Sequence, residues 1–106
     1  MSILEAKNKE QFIEFIKKDK CMILIHANWC EPCNKLKSNL DSITEEIPDM
    51  TIVKVDVNDL DDIAYTFKVT KIPHIAFLKN GELQRDHFSG INDHNAICET
   101  AKEIFS

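Results

Sequence analysis

The sequence predicts an α/β protein, a sheet covered by helices on both faces. Three observations carry this. Two apolar, β-branched runs of strand length, 21–28 and 50–57, alternate with stretches of helical periodicity. A further apolar run, 74–79, ends in Asn80-Gly81, the strongest short-range signal for a hairpin. Apolar stripes also flank these runs on either side, so each helix has a sheet face to bury against.

Taken in order, Phe12, Phe15 and Ile16 fall at i, i+3 and i+4, with Ile13 beside them, which predicts a helix over about 8–18. No strand is expected before it. The run CMILIHAN is apolar on both faces, as a central strand of a parallel sheet is. From Cys33 on, Leu36, Leu40, Ile43 and Ile47 predict one long amphipathic helix ended by Pro48. MTIVKVDV is the next strand. Leu60, Ile63, Ala64 and Phe67 then form a helical stripe with Asn58 or Asp59 as its N-cap. Beyond the hairpin, Ile97, Ala101, Ile104 and Phe105 mark a last helix capped at Asn92 or Asp93.

With 106 residues, a single domain over 1–106 is expected. A hydrophobic content of 43% is that of a globular chain. Thirteen basic and eighteen acidic residues, net −5, disfavour nucleic acid as a partner and offer no polybasic patch to a membrane. No apolar run is long enough to span a bilayer, and charge at Glu5 interrupts any signal-peptide core. A reducing, cytoplasmic setting is therefore expected, where four cysteines are not a disulfide framework.

Two of those cysteines, Cys30 and Cys33, lie where the central strand gives way to the long helix. The first turn of a helix has unpaired N–H groups and the positive end of the dipole, so it favours a thiolate. Pro32 suits a helix start, since its missing N–H had no partner to lose. Cys33, one turn in, is placed to attack a mixed disulfide on Cys30. Two structural cysteines, or a zinc site that recruits His26 or His74, also fit the spacing. Placement favours the redox pair.

The stretch ANWCEPC resembles the active-site motif of the thioredoxin family. IVKVDVND is similar to that family's third strand, and AYTFKVTKIPHIAFLKNGE to its Ile-Pro segment, strand and Asn-Gly turn. Gly90 falls where the family has a glycine in its last loop. The likeness runs through the whole chain and implies the thioredoxin fold: a central mixed β-sheet of four to five strands with helices on both faces. It implies that Cys30 is the nucleophile, Cys33 the resolving thiol and Pro73 a cis-proline against the dithiol. Trp29, Glu31, Pro32, Ile72, Gly90 and Ile91 would form the surface that meets substrate.

Departures from the family pattern raise two questions. A buried aspartate is common six residues before the first active-site cysteine, as proton acceptor for the resolving thiol; here that residue is Leu24. Lys54, its usual companion, is retained and needs another partner. His26, two residues on and on the same strand face, and His74, in place of the threonine after the proline, are the relay candidates. Glu31 stands where the family has glycine. Its charge near Cys30 should make the protein a better reductant by about 10–20 mV.

The implied activity is protein-disulfide reduction through the Cys30–Cys33 disulfide, with no other cofactor and no metal. Implied partners are a flavin-dependent thioredoxin reductase and disulfide-bearing substrates such as peroxiredoxin-like or nucleotide-reducing enzymes, with the protein acting as a monomer. An oxidant or isomerase in a secretory compartment, and a non-catalytic scaffold, are the competing readings. Cys21 is expected in the core, Cys98 on the flank of the last helix's apolar stripe, His87 and His94 at the surface, and the acidic DLDDI stretch at a helix start.

Overall fold

The computed structural model describes residues 3–90 and 93–106, with the backbone alone at 85 and 86. Among these residues the elements are β1 (Ile3–Ala6), α1 (Lys9–Phe15), β2 (Lys20–His26), α2 (Glu31–Lys37), α3 (Leu40–Glu46), β3 (Thr51–Asp56), α4 (Asp61–Thr66), β4 (His74–Lys79), β5 (Glu82–Ser89) and α5 (His94–Phe105). The five strands form one sheet in the order β1-β3-β2-β4-β5. β1, β3 and β2 run parallel, whereas β4 and β5 join antiparallel.

Strand pleating sends alternate residues to opposite faces, and each face has its own core. Met22, Leu24, Ile52, Ile75 and Phe77 meet Leu36, Leu40 and Ile43 from α2 and α3, and Ile97 and Phe105 from α5. Cys21, Ile23, Ile25, Val53 and Val55 meet Phe12 of α1 and Ile63 of α4 on the other side. Burial on both faces is why β2 reads as an unbroken apolar run. Asn80 and Gly81 take φ of +53° and +83°, the left-handed pair that a two-residue hairpin turn needs.

Four expectations of the fold change. β1 was not anticipated, because four residues with a glutamate among them carry no periodicity; it exists through parallel pairing with β3, Ile3 opposite Ile52 through Ala6 opposite Val55. The single long helix is two, broken at Ser38–Asn39. There the Ser38 hydroxyl and the Asn39 amide both donate to the carbonyl of Lys35, at 2.7 and 3.4 Å, competing with the helical ladder. The apolar stripe reads straight through, since Leu36, Leu40 and Ile43 stay buried on both sides of the break. For α4 the cap is Leu60, which makes no side-chain capping bond, rather than Asn58 or Asp59. Asp56 organises that turn instead, accepting the Asn58 N–H at 2.8 Å.

α1 ends at Phe15, short of the expected 18, with the Asn8 side chain capping it through the Gln11 N–H. For α5 the cap is Asp93, whose Oδ1 accepts from Asn95 and Ala96 at 3.0 and 3.4 Å; the alternative, Asn92, lies outside the described residues.

Candidate redox site

β2 delivers the chain to the end of the sheet, and α2 starts at once. Cys30 is the N-cap of α2, with extended backbone (φ −92°, ψ 110°), and Pro32 sits in the first turn. Cys30 and Cys33 are joined in a disulfide with their Cα atoms 5.2 Å apart. Cys30 Sγ also accepts the Cys33 N–H at 3.2 Å, so the sulfur occupies the place of an N-capping oxygen. The loop before it is tied down by the Asn34 amide donating to the Asn28 carbonyl at 3.1 Å. Cys33 is fully buried and Cys30 nearly so, while Trp29 is 71% exposed; Glu31 and Pro32 face solvent.

A second segment closes the site from across the sheet. Ile72 and Val57 pack on the cluster of Ala27, Cys30 and Cys33, and the Ile72 carbonyl lies 3.9 Å from Cys30 Sγ. The Ile72–Pro73 bond is cis. Gly90 N–H donates to the Pro73 carbonyl at 2.8 Å, holding the end of β5 against this segment. Gly90 has φ +73°, and a Cβ there would meet Lys71 at 3.3 Å, so the position suits glycine twice over. Ile91, expected in the apolar rim, lies outside the described residues.

Leu24 is fully buried and packs in the apolar core. Its β3 neighbour Lys54 has found a partner that sequence reading missed. Parallel pairing aligns Leu24, Lys54 and Glu5 side by side across β2, β3 and β1. Glu5 Oε1 lies 3.5 Å from Lys54 Nζ, and its Oε2 lies 3.5 Å from His26 Nε2. On the other side of the ring, Lys37 Nζ of α2 is 3.4 Å from His26 Nδ1. The His26 pKa is held below its usual value, first by burial and then by Lys37, while Glu5 and Asp56 pull it back up. The one available hint of Glu5 was a charge inside a short apolar run next to the N-terminus.

His74 is buried and stacks on His87, ring centroids 5.5 Å apart. Burial, and then the His87 charge, lower its pKa. Its Nδ1 is buried without a hydrogen bond among the described residues. No hydrogen bond among them joins Cys33 Sγ to His26, His74 or Lys54. Cys21 is buried, as expected, and Cys98 is buried as well; neither forms a disulfide, and burial pushes both thiols up to about 12, with Glu46 adding to the effect at Cys98. His87 is exposed, whereas His94 is half-buried against Glu46. No helix among the described residues is long and apolar enough to cross a membrane.

A disulfide that caps a helix, beside an exposed tryptophan and under a fixed loop, is placed for exchange rather than for holding distant parts of the fold together. The class of protein this defines is a thiol–disulfide oxidoreductase. The family model for thioredoxin matches residues 3–103, and the chain belongs to the thioredoxin family. It is 36% identical over 83 residues to the mitochondrial thioredoxin-3 of Saccharomyces cerevisiae, covering 77% of this chain and 65% of that protein's length. To the thioredoxin of Geodia cydonium it is 31% identical over 90 residues, covering 82% and 85% of the two chains. A solved structure on the thiol-resolving mechanism of yeast mitochondrial 1-Cys peroxiredoxin via glutathione and thioredoxin systems superposes with a TM-score of 0.85. That match has 31% identity and covers 96% of this chain and 95% of the other.

Proposed function

We propose that the chain works as a protein-disulfide reductase, with Cys30 as nucleophile and Cys33 as resolving thiol. One observation carries this: the Cys33 N–H points at Cys30 Sγ from the first turn of α2. In the reduced protein that N–H and the helix terminus stabilise a Cys30 thiolate. The thiolate attacks one sulfur of a substrate disulfide, an intermolecular S–S bond forms, and the substrate's other sulfur leaves as a thiolate. Cys33 then loses its proton and attacks Cys30 Sγ. The second substrate sulfur leaves, the Cys30–Cys33 bond closes, and two electrons have passed to the substrate.

Trp29, Glu31 and Pro32 form one side of the docking surface, and Ile72, Pro73 and Gly90 the other. The strip of backbone around Ile72 suits an extended substrate segment laid beside it. For the proton on Cys33 we assign the cluster of Glu5, His26, Lys37 and Lys54 as the stand-in for a carboxylate at Leu24. Its support is that Lys37 lies one turn from Cys33 on α2, contacts His26, and so links the thiol's helix to Glu5. Within it the His26 imidazole is the proton acceptor, kept neutral by the burial that lowers its pKa, and His74 is the alternative acceptor.

A peroxiredoxin-like protein is the first substrate class to try, on the likeness to the structure concerned with the yeast peroxiredoxin. A flavin-dependent reductase is the proposed electron donor. A monomer of one domain and a cytoplasmic setting are proposed on the sequence alone, to be checked by sedimentation and cell fractionation. The deciding experiment is dithiothreitol-driven reduction of a model disulfide protein. Wild type should accelerate it, and Cys33→Ser should accumulate a mixed disulfide on Cys30. No acceleration, or no trapped adduct, removes the reading. For the proton step, His26→Ala and Glu5→Gln should change the pH profile of mixed-disulfide resolution; an unchanged profile in both moves the role to His74 or solvent.

A further inference from the structure

On the far side of the molecule's larger core, α3 and α5 bring three metal-ligand side chains together. Glu46 is the last residue of α3, and His94 and Cys98 stand one turn apart on α5. His94 Nε2 lies 3.6 Å from Glu46 Oε2 and 3.9 Å from Cys98 Sγ. The three ligand atoms all lie within 4.8 Å of one another, and no other group of this kind occurs among the described residues. The thioredoxin chemistry uses none of the three.

We propose that Glu46, His94 and Cys98 form a binding site for a divalent transition metal of the zinc class, completed by water, which clamps α3 to α5. A tetrahedral zinc with one sulfur and two lighter donors has ligand-to-ligand edges of about 3.3–3.6 Å. The Glu46–His94 and His94–Cys98 edges, 3.6 and 3.9 Å, are already within a few tenths of an ångström of that, and the Glu46–Cys98 edge is no longer than 4.8 Å. Thiolate and imidazole donors select zinc, cobalt and their neighbours over magnesium or calcium. The two negative ligands match the ion's charge. Cys98 is buried and Glu46 exposed, so the site opens to water on one side.

On binding, the Cys98 proton leaves to solvent as the metal–sulfur bond forms. Lys102, whose Nζ lies 3.3 Å from Glu46 Oε1, gives up its place at the carboxylate. Without a metal the same contacts make a polar seam between two helices, and Lys102 then supplies the cation. The two states differ in whether sulfur is ionised, which is what an experiment can read.

Co2+ is the probe, added to the full chain with Cys30–Cys33 kept oxidised so that the dithiol cannot ligate. A thiolate-to-cobalt charge-transfer band should appear, saturate at one equivalent and vanish on adding Zn2+. Cys98→Ser should abolish it, and Cys21→Ala should leave it intact. Glu46→Gln and His94→Ala, both at solvent-accessible positions, should weaken binding more than about tenfold. Lys102→Ala should tighten it by removing the competing cation. Disulfide reduction should be the same in Cys98→Ser as in wild type, which keeps this test apart from that of the redox site. Absence of the band at millimolar Co2+, its survival in Cys98→Ser, or its loss in Cys21→Ala would overturn the proposal.

Discussion

Cys30 and Cys21 lie at opposite ends of the same strand-led segment, and the same side chain behaves differently at each. Cys21 is at the start of β2, fully buried among Ile23, Val53 and Leu78, and burial pushes its thiol up to about 12. Cys30 follows the end of β2, where the chain turns into α2 and a backbone N–H reaches its sulfur at 3.2 Å. One position offers a thiolate only hydrocarbon; the other offers it a dipole and a donor. Reactivity here is a property of the strand's end, not of cysteine.

The comparison is broken most directly by Cys30→Ser, which should drop disulfide reduction to the uncatalysed background, whereas Cys21→Ala should leave the rate near wild type. Alkylation of the reduced native protein is the next largest contrast. A thiol near 12 has roughly three orders of magnitude less thiolate at neutral pH than an ordinary one. Mass spectrometry should find Cys21 and Cys98 labelled only after denaturation. Stability separates the two sites in the opposite sense. Cys21→Ser leaves a hydroxyl in an apolar core and should cost about 1–3 kcal/mol in urea unfolding, against less for Cys30→Ser when both are compared with the reduced protein, where no disulfide is lost and the serine hydroxyl can cap α2 in place of the sulfur.

The histidines give a smaller, pH-dependent effect. Burial holds His26 and His74 below the ordinary imidazole range, so the unfolded chain takes up these protons first as pH falls. Their contribution is fully present above the unfolded value of about 6.5 and is lost as pH falls through the folded pKa. The urea midpoint should therefore decline from about pH 7.5 to about pH 5, and the decline should be shallower in His74→Gln. The smallest effect belongs to Glu31. Exposed at the helix start, its replacement by glutamine should raise the reduction potential by about 10–20 mV, read against a glutathione buffer.

Most of the fold was legible in local patterns. The buried run of β2, the Asn80-Gly81 turn and the stripes of α1, α4 and α5 each declare themselves within a dozen residues. The errors came where local pattern and local conformation part. The stripe through Leu36, Leu40 and Ile43 has helical spacing whether or not the backbone pauses, and the pause at Ser38–Asn39 is set by hydrogen bonds to Lys35. β1 is a strand only because β3 is there to pair with it. The site divides likewise: Cys30, Cys33, Trp29 and Pro73 stood out by motif, but Glu5 and Lys37 did not.

By itself, then, the sequence determined the order of elements from α1 to α5 apart from the break between α2 and α3, the strand-to-helix placement of the dithiol and the turn that returns β5. Tertiary structure decided who meets whom. It put Glu5 beside Lys54 and His26, the Ile72 carbonyl beside Cys30, and Glu46 beside His94 and Cys98. The physical reason is range. Periodicity and turn chemistry act between residues a few positions apart, whereas parallel pairing and helix packing join residues tens of positions apart, and no short window of sequence records those partners.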